Sequence, residues 1–489
     1  MKKLTQYWLS ALALGLLHQS VQAQSKGTKE QQEVLAGLEK KTPSYGAISK
    51  KIWDYAEVGY QETKSSALLQ DELKKEGFAV QSGVAGIPTA FVATYGSGKP
   101  VISILAEFDA LPGLAQQAVP ERKVIEGQKA GHACGHHLFG TGSTAAAISV
   151  KDWLKQTGKK GTIKLVGTPA EEGGSGKVYL VREGVFKDTD VVLHWHPGDR
   201  NVANPSSSLA NISAKFRFRG ISAHAAAAPE RGRSALDGVE AMNNMVNMMR
   251  EHIPSDTRVH YVITRGGEAP NVVPDYAEVY YYARNKDRDV LQDVWKRIVK
   301  AAEGAALGTD TKMEMEVIGG VYNVLPVESL AQLMHKNLDI VGGVTYTPEE
   351  TKFAEKISET FGTSFGSLRK STEAGTVMPF ALPNKAESMG GSTDVGDVSW
   401  TVPTVGLGTA TWVPGTAAHS WQAVAAGGMS IGVKGMMVAA KTLTLTAMDL
   451  FNDPSLIQKA QSEWLEVRGK NFQYEALLGN RKPALDYRK

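Results

Sequence analysis

The sequence has a single cysteine among its 489 residues. That excludes an internal disulfide framework, a four-cysteine zinc site and an iron–sulfur cluster held by one chain's cysteines. It has little net charge: 54 Lys and Arg against 51 Asp and Glu leave +3. Such a balance supports neither a nucleic-acid partner nor an anionic membrane surface. There is no H-E-x-x-H pair and no G-x-S-x-G elbow, so a single-helix zinc site and an α/β-hydrolase nucleophile are both missing. The Gly-rich fragments Tyr95–Lys99 and Gly173–Lys177 lack the leading glycine and the Ser/Thr of a phosphate loop, and read as turns. What remains is a globular composition, 42% hydrophobic and 21% charged. The length suggests two or three domains, or one large domain with an insertion.

The amino terminus reads Met1-Lys2-Lys3, then an apolar stretch from about Tyr7 to Leu17, then Val21-Gln22-Ala23. A basic start, a short apolar core and a small-x-small end make a secretory signal peptide over residues 1–23, with a mature chain from Gln24. The apolar core is shorter than the ~20 residues of a membrane span. No cysteine follows it to carry a lipid anchor. The expected product is periplasmic or secreted, without a membrane anchor. A lone thiol in an oxidising compartment is a hazard unless something occupies it, which singles out Cys134.

Residues 29–80 read as helices, with Ile48, Ile52 and Trp53 and then Leu68, Leu69 and Leu73 at helical spacing. Val101–Ala106 is a continuous apolar run, as in a buried parallel strand, and Ile163–Gly167 and Val191–Leu193 follow suit. Helical, Ala-rich sequence from Thr144 to Leu154 separates the first two. This alternation argues for an open α/β sheet. Around 206 the pattern changes. Ile212, Ala214, Phe216 and Phe218 alternate with polar residues, a strand with one covered face. Further elements give the order β-α-β-β-α-β over 206–320, a ferredoxin-like arrangement. An apolar strand near Val402–Leu407 and a long helix over 427–449 close the chain. The expected fold is α/β: an open mixed-sheet domain, 24–205 and 321–489, split by a smaller α/β insertion at 206–320.

Polar clusters stand beside this framework. Glu107 and Asp109 follow the first apolar strand, and His132-Ala133-Cys134-Gly135-His136-His137 opens the next helix. Glu171-Glu172 and His194-Trp195-His196 follow the second and third strands, and His419 lies far downstream. Ligands of open α/β sheets bind at such strand ends. Imidazole and thiolate suit zinc-like ions, and carboxylates add hard ligands that can bridge a pair of metals holding one water. Of two adjacent glutamates, one can ligate while the other takes a proton. A nucleophilic Cys134 is the competing reading; the flanking histidines favour metal. Taken alone, His194 reads as a hydrogen-bonded structural residue, which strand alternation is expected to turn away from His196.

At these residues the chain resembles the co-catalytic metallopeptidase family of aminoacylases, hippurate hydrolases and auxin-conjugate amidohydrolases, and within it the branch of the aminobenzoyl-glutamate utilisation proteins. The matching stretches are Glu107–Pro112, His132–His136, Pro169–Gly174, Trp195–Pro197, Gly267–Asp275, Gly390–Trp400 and Trp412–Gln422. The resemblance implies two divalent metal ions per subunit, Zn²⁺ or Mn²⁺, held by Cys134, His136, Glu172, His196 and His419. It puts Glu171 in the general-base position and Asp109 in that of the acid orienting the metal site. The insertion takes the place of the family's lid and dimerisation domain. There His224 matches a residue that polarises the scissile carbonyl, in many relatives across a dimer. Asn271 and Arg284 match residues that hold a substrate carboxylate. The implied activity is hydrolysis of the amide of an N-acyl amino acid such as aminobenzoyl-glutamate. The implied partner is a second copy of the chain, or a related subunit. A deacetylase, carboxypeptidase or dipeptidase of the same family, or a non-catalytic subunit, are the alternatives. Relatives carry Asp or Asn where this chain has His137, and Asp or His where it has Glu107, so both positions are open.

Overall fold

A computed structural model describes residues 27–362, 370–382 and 390–488. The leader expected over 1–23 lies outside them. Twelve strands are described: β1 (Ala79–Ser82), β2 (Phe91–Ser97), β3 (Val101–Ala106), β4 (Leu111–Pro112), β5 (Ala130–Gly131), β6 (Gly161–Gly167), β7 (Val191–Gly198), β8 (Ala210–Arg219), β9 (Arg258–Arg265), β10 (Tyr276–Asn285), β11 (Lys312–Val321) and β12 (Thr404–Ala410).

Six of them form one sheet in the order β1-β2-β6-β3-β7-β12. β6, β3, β7 and β12 are mutually parallel, while β2 runs antiparallel to β6 and β1 antiparallel to β2. This is the expected open mixed sheet. Every residue of β3 is buried, which is why its sequence is apolar without alternation. Two long helices, His136–Thr157 and Ser430–Asn452, are buried along most of their length and pack against each other and the sheet. Sequence analysis gave no strand before 101. The β1–β2 hairpin escapes it because β1 has only four residues and lies mostly exposed at the sheet edge, so no apolar run marks it. The long helix expected over 427–449 is Ser430–Asn452; a 74° bend separates it from a preceding helix, Trp421–Gly427, and a further helix, Pro454–Arg468, follows. Among the described residues no single helix is long and apolar enough to cross a membrane.

The insertion builds a second sheet, β11-β8-β10-β9, antiparallel throughout. With helices Ala235–Met249 and Arg288–Gly308 this is the ferredoxin-like order expected. Ile212, Ala214, Phe216 and Phe218 of β8 and Ala277, Val279, Tyr281 and Ala283 of β10 face these helices in a separate buried core. The opposite face carries charge: Arg217 bonds Glu278 at 2.8 Å and Glu316 at 2.6 Å. At the junction of the two sheets the Arg288 guanidinium lies 5.1, 4.4 and 4.6 Å from the rings of Tyr322, Trp400 and Phe472.

Phe216 is fully buried between Tyr281 and Trp295, with ring centroids 5.7 and 5.9 Å away. Phe216→Ala is expected to cost the insertion about 3–5 kcal/mol. Leu307→Ala, at an exposed position of the same insertion, should cost no more than about 0.5 kcal/mol. Denaturant unfolding followed by hydrogen exchange of the 210–310 peptides measures both; equal losses would contradict the place of Phe216 in the insertion's core.

Candidate metal and catalytic site

The candidate residues converge at the carboxyl ends of the parallel strands. β3 ends just before Glu107 and Asp109, β6 leads into Glu171 and Glu172, and β7 carries His194 and His196. Cys134 and His136 flank Gly135, which begins the helix His136–Thr157 in a left-handed conformation (φ 77°). A Cβ there would lie 2.6 Å from Pro197 Cβ, so only glycine lets this helix start against β7. The loop after β6 is also sharply turned, with left-handed Ala170, Gly173 and Ser175. His419 is left-handed as well, tied through its N–H to the Ala133 carbonyl at 3.0 Å. Non-glycine residues held this way gather at functional sites.

Two groups of side-chain donors share one residue. Cys134, His136 and His196 lie with their ligand atoms within 4.8 Å of one another, and so do Cys134, Glu172 and His419. Glu107, His136 and Glu171 form a third such group. Cys134 Sγ is 3.4 Å from His196 Nε2, and His419 Nε2 is 3.4 Å from Glu172 Oε1. The histidines are oriented from behind. His136 Nδ1 bonds Asp109 Oδ1 at 2.9 Å, and His196 Nδ1 donates to the Pro197 carbonyl at 2.8 Å. Each bond leaves Nε2 facing the cluster with a lone pair, as metal-ligating histidines require. Asp109 Oδ2 accepts the Glu172 N–H at 2.9 Å.

Glu107 Oε2 lies 3.0 Å from His136 Nε2, as Glu172 Oε1 lies 3.4 Å from His419 Nε2, so acid and imidazole face each other at the centre. Soft and hard donors turned toward one point suit divalent cations. The electrostatics agree. Burial pushes the Cys134 thiol up, so thiolate there calls for a cation. Burial, then Glu107 and Glu172, holds Glu171 well above the usual carboxylate range, a base with strong affinity for a proton. Burial opposes charge on His136, but Cys134, Glu107 and Asp109 outweigh it and raise it well above its usual value.

Other residues fall elsewhere. His137 points away from the cluster: its Nε2 bonds the Gly427 carbonyl at 3.0 Å and its ring lies 4.8 Å from that of His132. His194 lies two residues from His196 on β7 and so shares its face, correcting the alternation argument. It nevertheless joins none of the donor groups among the described residues, and burial lowers it to about 4. Sequence reasoning missed Lys177, which it took for part of a turn. Lys177 is completely buried and bridges Glu107 at 2.6 Å and Asp394 at 2.8 Å. The available signal was a lysine opening an apolar helix, Gly176–Arg182, since a lysine buried there must be paired.

His224 and Asn271 stand exposed on the insertion, joined by the Ala225 N–H to Asn271 carbonyl bond at 3.0 Å. His224 Nδ1 accepts from Ala226 and Ala227 N–H, so the outward Nε2 carries the proton. Arg284 lies at the other end of β10, paired with Asn211, whereas Tyr276 at the near end pairs with Arg219. Eight residues of strand span about 27 Å. Within one chain Asn271 and Arg284 therefore cannot grip the same small carboxylate, which corrects the simplest reading of the lid.

A model of the peptidase dimerisation domain matches residues 210–310. The chain is 42% identical over 446 residues to one of the subunits of the p-aminobenzoyl-glutamate hydrolase of Escherichia coli (strain K12), covering 86% of this chain and 92% of that protein. It is 30% identical over 435 residues to Xaa-Arg dipeptidase of Mus musculus, covering 86% and 88%. Among solved structures it shares its fold with an aminobenzoyl-glutamate utilization protein from Klebsiella pneumoniae, at TM-score 0.60 and 19% identity over 85% of this chain and 98% of that one. A dinuclear metal-binding peptidase of the M20 family from Bacillus subtilis matches at TM-score 0.56 and 17% identity over 86% and 99%. With relatives matched over nearly their whole length and the fold shared end to end, the chain belongs to the M20 family of peptidases and amidohydrolases, whose members hydrolyse amide bonds.

Proposed function

We propose that the chain is an exported hydrolase that cleaves the amide of an N-acyl amino acid, such as aminobenzoyl-glutamate, with two divalent cations, Zn²⁺ or Mn²⁺, held by Cys134, His136, Glu172, His196 and His419. The observation that carries this is the pair of donor groups sharing Cys134, with Glu171 beside Glu172. Cations bound there supply Lewis acidity to the scissile carbonyl and the attacking water. Glu171 takes the proton from that water and returns it to the nitrogen of the leaving amine. Asp109 fixes the His136 ring and the Glu172 backbone together, so base and ligands keep one relative position. His224 donates its Nε2 proton toward the carbonyl oxygen as negative charge develops there. Arg284 receives the substrate carboxylate.

The separation of His224 and Asn271 from Arg284 supports a site completed by two chains, His224 and Asn271 coming from one copy and Arg284 from the other. Edge strand β9 leaves Val262 and Ile263 exposed, and the adjoining helix leaves Met245 and Met248 exposed, an unpaired edge suited to a second copy. A related but different chain could take the same place, since two distinct subunits of the Escherichia coli p-aminobenzoyl-glutamate hydrolase both match this one. The dipeptidase relative supports a second reading, an X–amino-acid dipeptide as substrate.

Purified mature protein, stripped and refilled with Zn²⁺, Mn²⁺ or Co²⁺, is expected to release amine from aminobenzoyl-glutamate or another member of a panel holding hippurate, N-acetyl amino acids and dipeptides. Glu171→Gln should keep its metal and lose about 10²–10⁴ in rate. Full metal loading without turnover on any substrate would refute the hydrolase reading for the isolated chain. Normal turnover by Glu171→Gln would refute the base. For the shared site, His224→Ala and Arg284→Ala should each be nearly inactive, and the two co-expressed should recover about a quarter of wild-type activity through mixed dimers. No recovery would mean that one chain carries the whole site.

A further inference from the structure

After helix Pro454–Arg468 the chain runs back across the molecule to the base-bearing loop. Along the way it is fastened at several points. Phe472 is part of the aromatic cage around Arg288, and the Tyr474 hydroxyl donates to Asp397 Oδ1 at 2.7 Å. Leu477 packs against the cores of both sheets. The Arg481 guanidinium donates to the Val317 and Ile318 carbonyls at 2.7 and 2.6 Å, where β11 loses register with β8. The Arg481 carbonyl in turn accepts from Arg182 at 2.7 Å. Gln61 then holds the Leu485 carbonyl at 2.8 Å. At the end, the Tyr487 hydroxyl and the Arg488 guanidinium both donate to the Glu172 carbonyl, each at 2.9 Å.

We propose that residues 472–488 are a strap whose Tyr487 and Arg488 are positioning residues for Glu171 and Glu172. The inference rests on the base role given above to Glu171. The loop that bears the pair is poorly held by its own backbone. Glu172 itself departs from helical geometry (φ −70°, ψ 69°), and left-handed residues stand on both sides of the pair. Its N–H is fixed by Asp109, so the carbonyl decides how the next peptide unit is turned. Two donors on one carbonyl use both its lone pairs, and one of them carries charge, which makes the bond stronger than a neutral one. Tyr487 arrives on a prepared surface. Its ring meets Tyr60 edge-on at 5.6 Å, and Gly59 leaves room for its hydroxyl, which a Cβ at that position would strike. Both side chains meet the loop at a backbone atom, the Glu172 carbonyl, so they act through the loop.

The full-length double variant Tyr487→Phe/Arg488→Ala tests this by two independent readouts. Amide exchange of peptides over 170–176 should quicken by about tenfold or more while exchange over 210–310 and the melting temperature hold. On the amide found in the substrate panel, kcat should fall about 10–100-fold with KM nearly unchanged, because misplacing a catalytic group costs rate without weakening ground-state binding. Arg488→Lys, which keeps a charged donor, should stay close to wild type in both. Unchanged exchange over 170–176 would overturn the strap. So would faster exchange with an undiminished kcat. If the wild-type protein turns over nothing in the panel, the exchange result alone decides on the strap, and the missing turnover counts against the hydrolase reading instead.

Discussion

Asp109 is the residue on which the site's geometry depends. It lies just past a strand buried on both faces, and each of its oxygens holds a different part of the chain. Through Oδ1 it fixes the His136 ring at the start of a 22-residue helix; through Oδ2 it fixes the backbone of the loop after β6. A buried carboxylate without partners would cost several kcal/mol. Here both oxygens are satisfied by groups that must then stay about one hydrogen bond away. The distance between the helix that carries His136 and the loop that carries Glu171 is thereby set by one side chain.

The same centre has a surplus of acid. Glu107, Asp109, Glu171, Glu172, Asp394 and the Cys134 thiol gather around the buried Lys177 and His136. Lys177 draws Glu107 below the usual carboxylate range against its burial, and His136 adds to that pull. Burial outweighs it elsewhere: Asp394, although paired with Lys177, and Glu171 and Cys134 are all pushed up. The centre as a whole therefore keeps a surplus of acid.

How much of this was legible in the sequence follows from the range of each contact. β3, β6 and β7 announce themselves because burial on both faces demands apolar runs, and their ends then point to Glu107, Glu171 and His196. The insertion is legible through strict alternation along β8, whose one face packs on helices. Lys177 and Asp394 are not, since they pair across 217 residues and neither sits in a recognisable spacing. The β1–β2 hairpin leaves no apolar run because β1 is a short, exposed edge strand, and the returning carboxyl-terminal segment leaves none because its backbone is held by side chains from distant elements. His194 shows a third kind of failure: the strand was right, but its face was misread, and residue type alone does not separate it from His196.

The insertion shows why a site of this kind is apt to need two chains. A four-stranded sheet with helices on one face keeps its other face and one edge free. The chemistry-bearing residues His224 and Asn271 lie beyond the tip of β8 and β10, and Arg284 lies at their root, near the junction with the large sheet. A rigid ten-residue strand cannot fold back to bring its two ends onto one small molecule. The root is tied to the large domain through the Arg288 cage; the tip lies about 27 Å of strand away from it. If one substrate is to meet both ends, a second lid must supply the tip. Under the proposed pairing, assembly would then complete the site as well as stabilise the chains.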